Sequence, residues 1–207
     1  MKKVACLNLD WLQAGFYNAA ESEGITDAVK MNQVHSADCV YITTKPAENL
    51  SVDALITDQP GLKLAVKTAD CAPVLLADSK RRLVAAVHAG WRGAFQGVIE
   101  NTLLKMISLG AHPENIVAGI GPHLQVQSFE VSPACRALFP NTEERFFDEV
   151  DGKIHFDFDA YVVYRLHRSG ISQVESVGED TYSDPAYNSY RRDPENPARQ
   201  LSIIEIK

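Results

Sequence analysis

A carboxylate and a thiol stand side by side at Asp70-Cys71, just ahead of Pro73, where the backbone is constrained and an apolar run begins. A free cysteine in such a place is commonly a small core side chain, but its thiolate is also a nucleophile and a soft metal ligand. Further on, His88 closes a second apolar run and opens the segment Ala89-Gly90-Trp91-Arg92-Gly93. Glycines on both sides of a Trp-Arg pair suit a tight turn into a helix N-terminus, where free amides and the helix dipole favour an anion. Arg92 adds a fork suited to phosphate or carboxylate. A third polar stretch, Asn32-Gln33-Val34-His35, leads into a strand expected from Cys39 to Thr43. Together His35, Cys71 and His88 offer two imidazoles and one thiolate, a set that suits zinc with one coordination position open. Their intervals of 36 and 17 residues match no compact zinc motif, so spacing leaves this as one option beside ordinary core and salt-bridge roles.

The other titratable groups of this kind carry weaker signals. His112, His123, His155 and His167 fall in turn, loop or helix positions without a partner at metal spacing, and are expected to be solvated or capping side chains. Cys6, Cys39 and Cys135 join Cys71 without any Cys-x-x-Cys, which argues against a disulfide framework and against a zinc ribbon.

Strands and helices must carry these residues. Ala54-Leu55-Ile56-Thr57 reads as a short strand, Asp58-Gln59-Pro60-Gly61 as a turn, and Leu62 to Val66 as a partly alternating strand. Pro73 to Ala77 and Leu83 to Val87 are nearly all apolar, as strands covered on both faces are, with Asp78 to Arg82 as the turn between them. The period then changes, because Phe95, Val98, Ile99, Leu103, Met106 and Ile107 share one helical face, ended by Gly110. Ile116 to Ile120 predicts a strand running into Gly121-Pro122. A second helix is expected from about Phe158 to Arg168, stopped by Gly170, with Asp157 or Asp159 near its N-terminus. Gln200 to Ile206 closes the chain as a strand. Before it, Ser183 to Arg199 carries Pro185, Pro194 and Pro197 and must be a long loop, of the kind that usually serves function. The class expected is α/β with a mixed sheet.

A chain of 207 residues suits one domain spanning 1-207, and its 45% hydrophobic content is enough to bury a core. Twenty Lys and Arg against twenty-seven Asp and Glu give a net charge of -7, the wrong sign for a general nucleic-acid binder. An anionic ligand must therefore find a local basic pocket. No apolar stretch approaches the roughly 20 residues that span a bilayer, so no transmembrane helix and no membrane partner are expected. Asn8 and Asp10 interrupt the apolar run after Met1-Lys2-Lys3 before a signal core forms, which predicts a cytoplasmic protein.

Asn32-Gln33-Val34-His35, Asp53-Ala54-Leu55 with Thr57-Asp58, Thr68-Ala69-Asp70-Cys71-Ala72-Pro73-Val74-Leu75 and Ala85-Ala86-Val87-His88-Ala89-Gly90-Trp91-Arg92-Gly93 resemble the bacterial laccase-domain or multicopper polyphenol oxidoreductase family. Gly119-Ile120-Gly121-Pro122, Phe129-Glu130-Val131 and Ser189-Tyr190-Arg191-Arg192-Asp193 extend the likeness from about residue 30 to the C-terminus. Members are understood as purine nucleoside phosphorylases acting on adenosine, inosine and methylthioadenosine, with adenosine deaminase activity; the polyphenol oxidase label is older. The resemblance implies a zinc site made by His35, Cys71 and His88. It also implies an α/β/β/α layered fold similar to the deamidase domain of cytotoxic necrotising factors. Three departures stand out. The segment before Asn32 is shorter than is usual in the family, so ligand contacts from it are expected to be absent or remodelled. Asp180-Thr181 replaces the common Cys-Thr, and Phe129 replaces a tyrosine.

On this resemblance the partners are a purine nucleoside and inorganic phosphate. Gln33, Arg92, Gly121, Arg191 and Arg192 are the expected substrate-binding residues, and Cys71, His88, Asp70 and Arg92 the catalytic ones. Asp70, beside a metal ligand, is either a proton shuttle or an acceptor that fixes a histidine. Two other chemistries compete. A copper-dependent polyphenol oxidase would need many histidines, typically as His-x-His pairs, and six histidines with no such pair argue against it, although copper can enter the same three-ligand site. Alternatively, Cys71 acts as a nucleophile with His88 as its base, in a hydrolase or amidase acting on peptidoglycan precursors, to which the family has also been linked.

Overall fold

In the computed structural model, which describes residues 1–207, the chain alternates short strands and helices. It runs β1 (Leu12–Phe16), α1 (Ala19–Ser22), β2 (Cys39–Tyr41), β3 (Ala54–Thr57), β4 (Leu64–Thr68), β5 (Ala72–Asp78) and β6 (Leu83–Ala89). Then follow α2 (Trp91–Gln96), α3 (Val98–Ser108), β7 (Ile116–Ile120), β8 (Glu130–Val131), α4 (Pro133–Arg136), β9 (Phe147–Val150), β10 (Lys153–Phe156), α5 (Phe158–Arg168), β11 (Gln173–Ser176) and β12 (Gln200–Ile206). A six-stranded mixed sheet has the order β11-β7-β5-β6-β3-β2. Its four central strands are antiparallel to one another, whereas β11 on β7 and β2 on β3 are parallel. A second, antiparallel sheet has the order β1-β12-β4.

The side-chain period of two along the central strands builds the layers. Val74 and Leu76 of β5, with Ala85 and Val87 of β6, face Ile99, Leu103 and Met106 of α3 and Tyr161, Val162 and Leu166 of α5. The intervening Leu75, Ala77, Val84 and Ala86 face Leu64, Val66, Ile204 and Ile206 of the second sheet. Each fully buried Val or Leu contributes about 1.5–3 kcal/mol through apolar area removed from water. The far side of the second sheet, with Ala65, Leu201 and Ile203, is covered by Ala28 and flanked by Tyr17 and Ile25. That last layer is thin: its one helix, α1, is a single turn closed by an Asn18–Glu21 capping box. The α/β/β/α arrangement is thus present, with unequal outer layers.

Several elements differ from the sequence reading. The strand expected at Leu62 to Val66 lies at Leu64–Thr68 and belongs to the second sheet, because its alternation marks a strand without naming its partner. Leu12–Phe16, unread in the sequence, is the edge strand of that sheet. The helix expected from Phe95 begins at Trp91 and is broken at Gly97, whose φ of +99° reverses the chain between α2 and α3. Ile107 consequently stays 39% exposed, off the buried face. A third small sheet, β8-β10-β9, contains a hairpin turned by Asp151 (φ +51°) and Gly152 (φ +73°). An Asp-Gly pair between two strand-like segments is the sequence signal for such a turn. Residues 178–199 contain neither helix nor strand, so the strap expected from Ser183 to Arg199 begins several residues earlier.

Candidate metal centre and active site

Sheet register brings distant residues to one end of the large sheet. Ala54 of β3 pairs with Val87 of antiparallel β6, so Asp53 arrives opposite His88, whose N–H donates to the Asp53 carbonyl at 2.7 Å. On the other side of β6, Ala72 pairs with Ala89, which delivers Cys71 to the same end. Because β2 is parallel to β3, the segment entering it, which carries His35, also arrives there. The imidazole nitrogens of His35 and His88 and the Cys71 sulfur lie within 4.8 Å of one another. Cys71 Sγ is 3.7 Å from His35 Nε2, and the two imidazole rings meet edge to face at 4.8 Å.

Asp53 organises this convergence and was missed as a functional residue in the sequence. It is fully buried, and accepts from His88 Nδ1 at 2.7 Å, from the N–H groups of His35 (3.0 Å), Ser36 (2.6 Å) and Val34 (3.3 Å), and from Ser36 Oγ (2.9 Å). Burial alone would raise its pKa, but the His88 and Ser36 hydrogen bonds outweigh it and hold the carboxyl at about 2. A permanent carboxylate therefore fixes Nδ1 of His88 as the protonated nitrogen, leaving Nε2 free as a ligand. Burial opposes ionisation of the Cys71 thiol as well, yet the neighbouring imidazoles win and lower it to about 6. Burial likewise opposes charge on His88, while the Cys71 thiolate and Asp53 raise it to about 9. The thiol and the imidazole thus favour each other's charged forms.

The donor set fits a metal ion of zinc-like preference. Bonds of about 2.0–2.3 Å to N and S ligands place the donors of a tetrahedral site roughly 3.3–3.8 Å apart; the Cys71–His35 pair at 3.7 Å meets that spacing, and the full trio, spread over 4.8 Å, closes on an ion with a small side-chain movement. Three protein donors leave a further position open. Backbone strain surrounds the centre, since His35 has φ +61° and Asp70 φ +87°, both sparsely populated by residues other than glycine. Gly90, with φ -72°, is needed for clearance rather than for its turn: a Cβ there would lie 2.7 Å from His35 Cδ2 and 3.1 Å from Cys71 Sγ. A Cβ on Gly93 would meet the Ser36 carbonyl at 2.8 Å. The turn expected of these glycines is present, with Gly90 as the N-cap residue of α2, and both glycines also allow close packing against the loop of His35 and Ser36.

The other expected site residues separate into two groups. Asp70 adjoins the centre as the residue before Cys71 and ties Arg191 to it through the backbone: its carboxylate accepts Thr181 Oγ1–H at 2.7 Å and the Arg191 N–H at 2.6 Å, and hydrogen-bonds to no histidine. Arg92 is exposed, with its guanidinium over the Trp91 ring at 4.6 Å and its fork open to solvent. The polar groups of Gln33 and Arg192 are engaged inside the protein instead. Gln33 Nε2 donates to the Lys67 carbonyl at 2.7 Å and Oε1 accepts from the Lys67 N–H at 2.9 Å, tying its loop to β4. Arg192 donates to the carbonyls of Thr181 (2.9 Å), Tyr182 (2.7 Å) and Tyr187, all within its own strap. Gly121 is buried, and a Cβ there would lie 2.2 Å from a Phe16 ring carbon, so it serves interior packing. His123 departs from the solvated role expected of it: it is fully buried, donating through Nδ1 to the Gly121 carbonyl at 2.8 Å. His167, by contrast, caps the end of α5 through the Ile171 carbonyl. Asp180, which stands where the resembling family has cysteine, binds Ser128 Oγ (2.6 Å) and the Gln125 N–H (3.1 Å) and so stitches the strap to the loop after β7.

Residues 14–207 match the family described as multi-copper polyphenol oxidoreductase laccase. A purine nucleoside phosphorylase of Rickettsia prowazekii is 37% identical over 196 residues, covering 87% of this chain and 79% of the relative. The crystal structure of a Neisseria meningitidis protein superposes with a TM-score of 0.79 at 31% identity, covering 87% of this chain and 75% of that one. YlmD from Geobacillus stearothermophilus shares the fold over 99% of this chain and 94% of its own, with a TM-score of 0.84 at 21% identity.

Proposed function

The chain belongs to the multi-copper polyphenol oxidoreductase laccase family, and on that premise we propose that it is a zinc-dependent purine nucleoside phosphorylase. In this reading it acts on adenosine, inosine and methylthioadenosine, with adenosine deamination as a second activity, and the span 1-207 works as one domain. The observation that carries the proposal is the meeting of His35, Cys71 and His88, backed by Asp53, with Asp70 next to Cys71 in the chain and holding the Arg191 backbone. Relatives named purine nucleoside phosphorylase support the same reaction class.

Phosphorolysis breaks the bond from ribose C1′ to the purine nitrogen and forms a new one from C1′ to a phosphate oxygen, through an oxocarbenium-like carbon. Positioning and electrostatics carry most of that work. Arg92 and Arg191 bind phosphate, overcoming locally the repulsion of a chain with net charge -7. Asp53 keeps His88 oriented and the loop of His35 closed. Zinc held by His35, Cys71 and His88 would supply Lewis acidity for orienting the substrate and, in deamination, for activating water. No helix is long and apolar enough to cross a membrane, and a cytoplasmic setting, which keeps the Cys71 thiolate reduced, is part of the proposal.

The test is metal content as isolated, followed by adenosine turnover with and without phosphate. Release of ribose 1-phosphate only when phosphate is present supports the reading. Inosine formed independently of phosphate, with no ribose 1-phosphate, would leave only the deaminase, and a Cys71→Ser variant that keeps its zinc would count against the metal trio. A second reading, the Cys-His hydrolase or amidase acting on peptidoglycan precursors, is favoured by one observation: Asp53 orients His88 beside a thiol whose pKa is lowered to about 6. Amide hydrolysis that survives chelation would favour it. Copper can occupy the same donors, and polyphenol oxidation after copper loading would then be incidental to this site.

A further inference from the structure

We propose that Asp70 is a positioning residue that latches the 178–199 strap to the metal centre and thereby sets Arg191 for phosphate. The proposal rests on the reading of Arg191 as a phosphate ligand. Asp70 is one peptide bond from the metal centre, because it directly precedes Cys71, and meets the strap through hydrogen bonds. Its φ of +87° is a conformation that Asp and Asn tolerate better than most residues. In that conformation its two carboxylate oxygens reach two different points of the strap, Thr181 Oγ1 at 2.7 Å and the Arg191 N–H at 2.6 Å. Its own carbonyl accepts from the Leu124 N–H at 3.0 Å, which anchors it to the loop after β7.

The strap is stiff enough to transmit this hold. Arg192 gathers four strap carbonyls, the Asp193 N–H donates to the Ser189 carbonyl at 3.0 Å, and Tyr187 Oη donates to Glu179 at 2.6 Å. Gln200 of β12 exchanges hydrogen bonds with the Asn188 backbone at 2.9 and 3.2 Å. The Arg191 guanidinium is itself preset, donating to the Glu130 carbonyl at 2.9 Å with its carbon 5.8 Å from the Phe129 ring centre. Movement of Asp70 therefore moves Arg191 with the strap. Each Asp70 oxygen accepts one hydrogen bond from the strap, which suits a residue that acts by placement. Thr181 is the partner that makes the latch two-pronged.

Asp70→Asn keeps the shape and the tolerance of positive φ, but turns one acceptor into an NH2 that faces a donor. Thr181→Val removes the other prong at almost constant volume. The readouts are amide hydrogen exchange of residues 181–192, separate kcat and KM for phosphate and for nucleoside, zinc stoichiometry and thermal midpoint. Loss of a hydrogen bond to a charged group is worth about tenfold or more in a local equilibrium. In Asp70→Asn, strap exchange should therefore speed up and the phosphate KM should rise by about that factor. Any fall in kcat should be smaller than the rise in the phosphate KM, the nucleoside KM should change less than the phosphate KM, the zinc content should hold, and Thr181→Val should shift strap exchange and the phosphate KM less far. Unchanged strap exchange in both variants would overturn the latch. A collapse of kcat with the phosphate KM unaltered would restore the shuttle role instead. Should Asp70→Asn fail to fold, Thr181→Val alone carries the test, because it leaves the backbone at residue 70 untouched. A wild type without phosphate-dependent turnover would overturn the phosphorylase reading and the phosphate half of this proposal, while strap exchange would still decide the latch.

Discussion

Asp53→Asn removes a charge and half of an acceptor set while changing almost no volume, so its consequences can be worked out bond by bond. Oδ1 accepts from His88 Nδ1 and the His35 N–H, and Oδ2 accepts from the N–H groups of Ser36 and Val34 and from Ser36 Oγ. An asparagine keeps one acceptor oxygen, so whichever way its amide turns, at least two of these donors face an NH2. Buried donors left unpaired cost about 1–3 kcal/mol each; the His35 N–H stays unpaired when the NH2 faces His88, and the Ser36 and Val34 N–H groups when it faces the other way, so the predicted loss is roughly 1–6 kcal/mol. For a chain of this size that lowers the thermal midpoint by about 2–4 °C per kcal/mol. If the amide turns toward His88, the imidazole is driven to the tautomer that protonates Nε2, the nitrogen needed for a metal. Loss of a supporting carboxylate of this kind weakens metal binding by about 10–100-fold, equivalent to roughly 1.4–2.7 kcal/mol. Competition against a chromophoric chelator measures the affinity, and thermal unfolding with and without zinc measures the coupling. Metal affinity within twofold of wild type in a folded Asp53→Asn protein would refute the reasoning that His88 is oriented from behind.

Two further outcomes follow from the packing around the centre. Gly90→Ala places a Cβ 2.7 Å from His35 Cδ2 and 3.1 Å from Cys71 Sγ. It should cost about 1–3 kcal/mol by overpacking and weaken zinc binding, while Gly24→Ala, with no neighbour within 4 Å, should leave zinc binding unchanged in the same chelator titration. Acid should destabilise the fold through His123, whose burial lowers its pKa below the ordinary 6.5 against the opposing pull of Asp159, Asp180 and Asp157. The folded protein keeps this imidazole neutral, whereas the unfolded chain takes up a proton near pH 6.5, so this contribution is present above that pH and is lost as pH falls below it. The slope is at most about 1.4 kcal/mol per pH unit. Urea unfolding at pH 7.5 and 5.5 should show a larger loss in wild type than in His123→Asn, and equal losses would discount the role of this side chain.

The central strands were legible because Pro73 to Ala77 and Leu83 to Val87 are apolar at every position, a pattern that double-sided burial imposes. The hairpin at Asp151-Gly152 was legible too, in its turn chemistry, although that signal went unread. Gly97 was harder, since a glycine inside a helical period is tolerated as often as it breaks the helix, and only the positive φ shows which occurred. Asp53 carried a motif without a role. Its role depends on β3 lying antiparallel to β6 with Ala54 across from Val87, and nothing local in either strand states that pairing.

By itself the amino-acid order determined which side chains exist to bind a metal, which segments form strands and helices, and where the long strap lies, because propensity, periodicity and turn chemistry act over a few neighbouring residues. Tertiary structure alone decided that positions 35, 53, 71 and 88 share one sheet end and that Gly90 must be empty of a side chain. It also turned the Arg192 fork inward and left that of Arg92 open. Strand order and register arise from pairing between segments far apart in the chain, and a shift of one residue would turn every side chain of a strand to its other face. The convergence that makes a site is therefore a property of the sheet rather than of any spacing along the sequence.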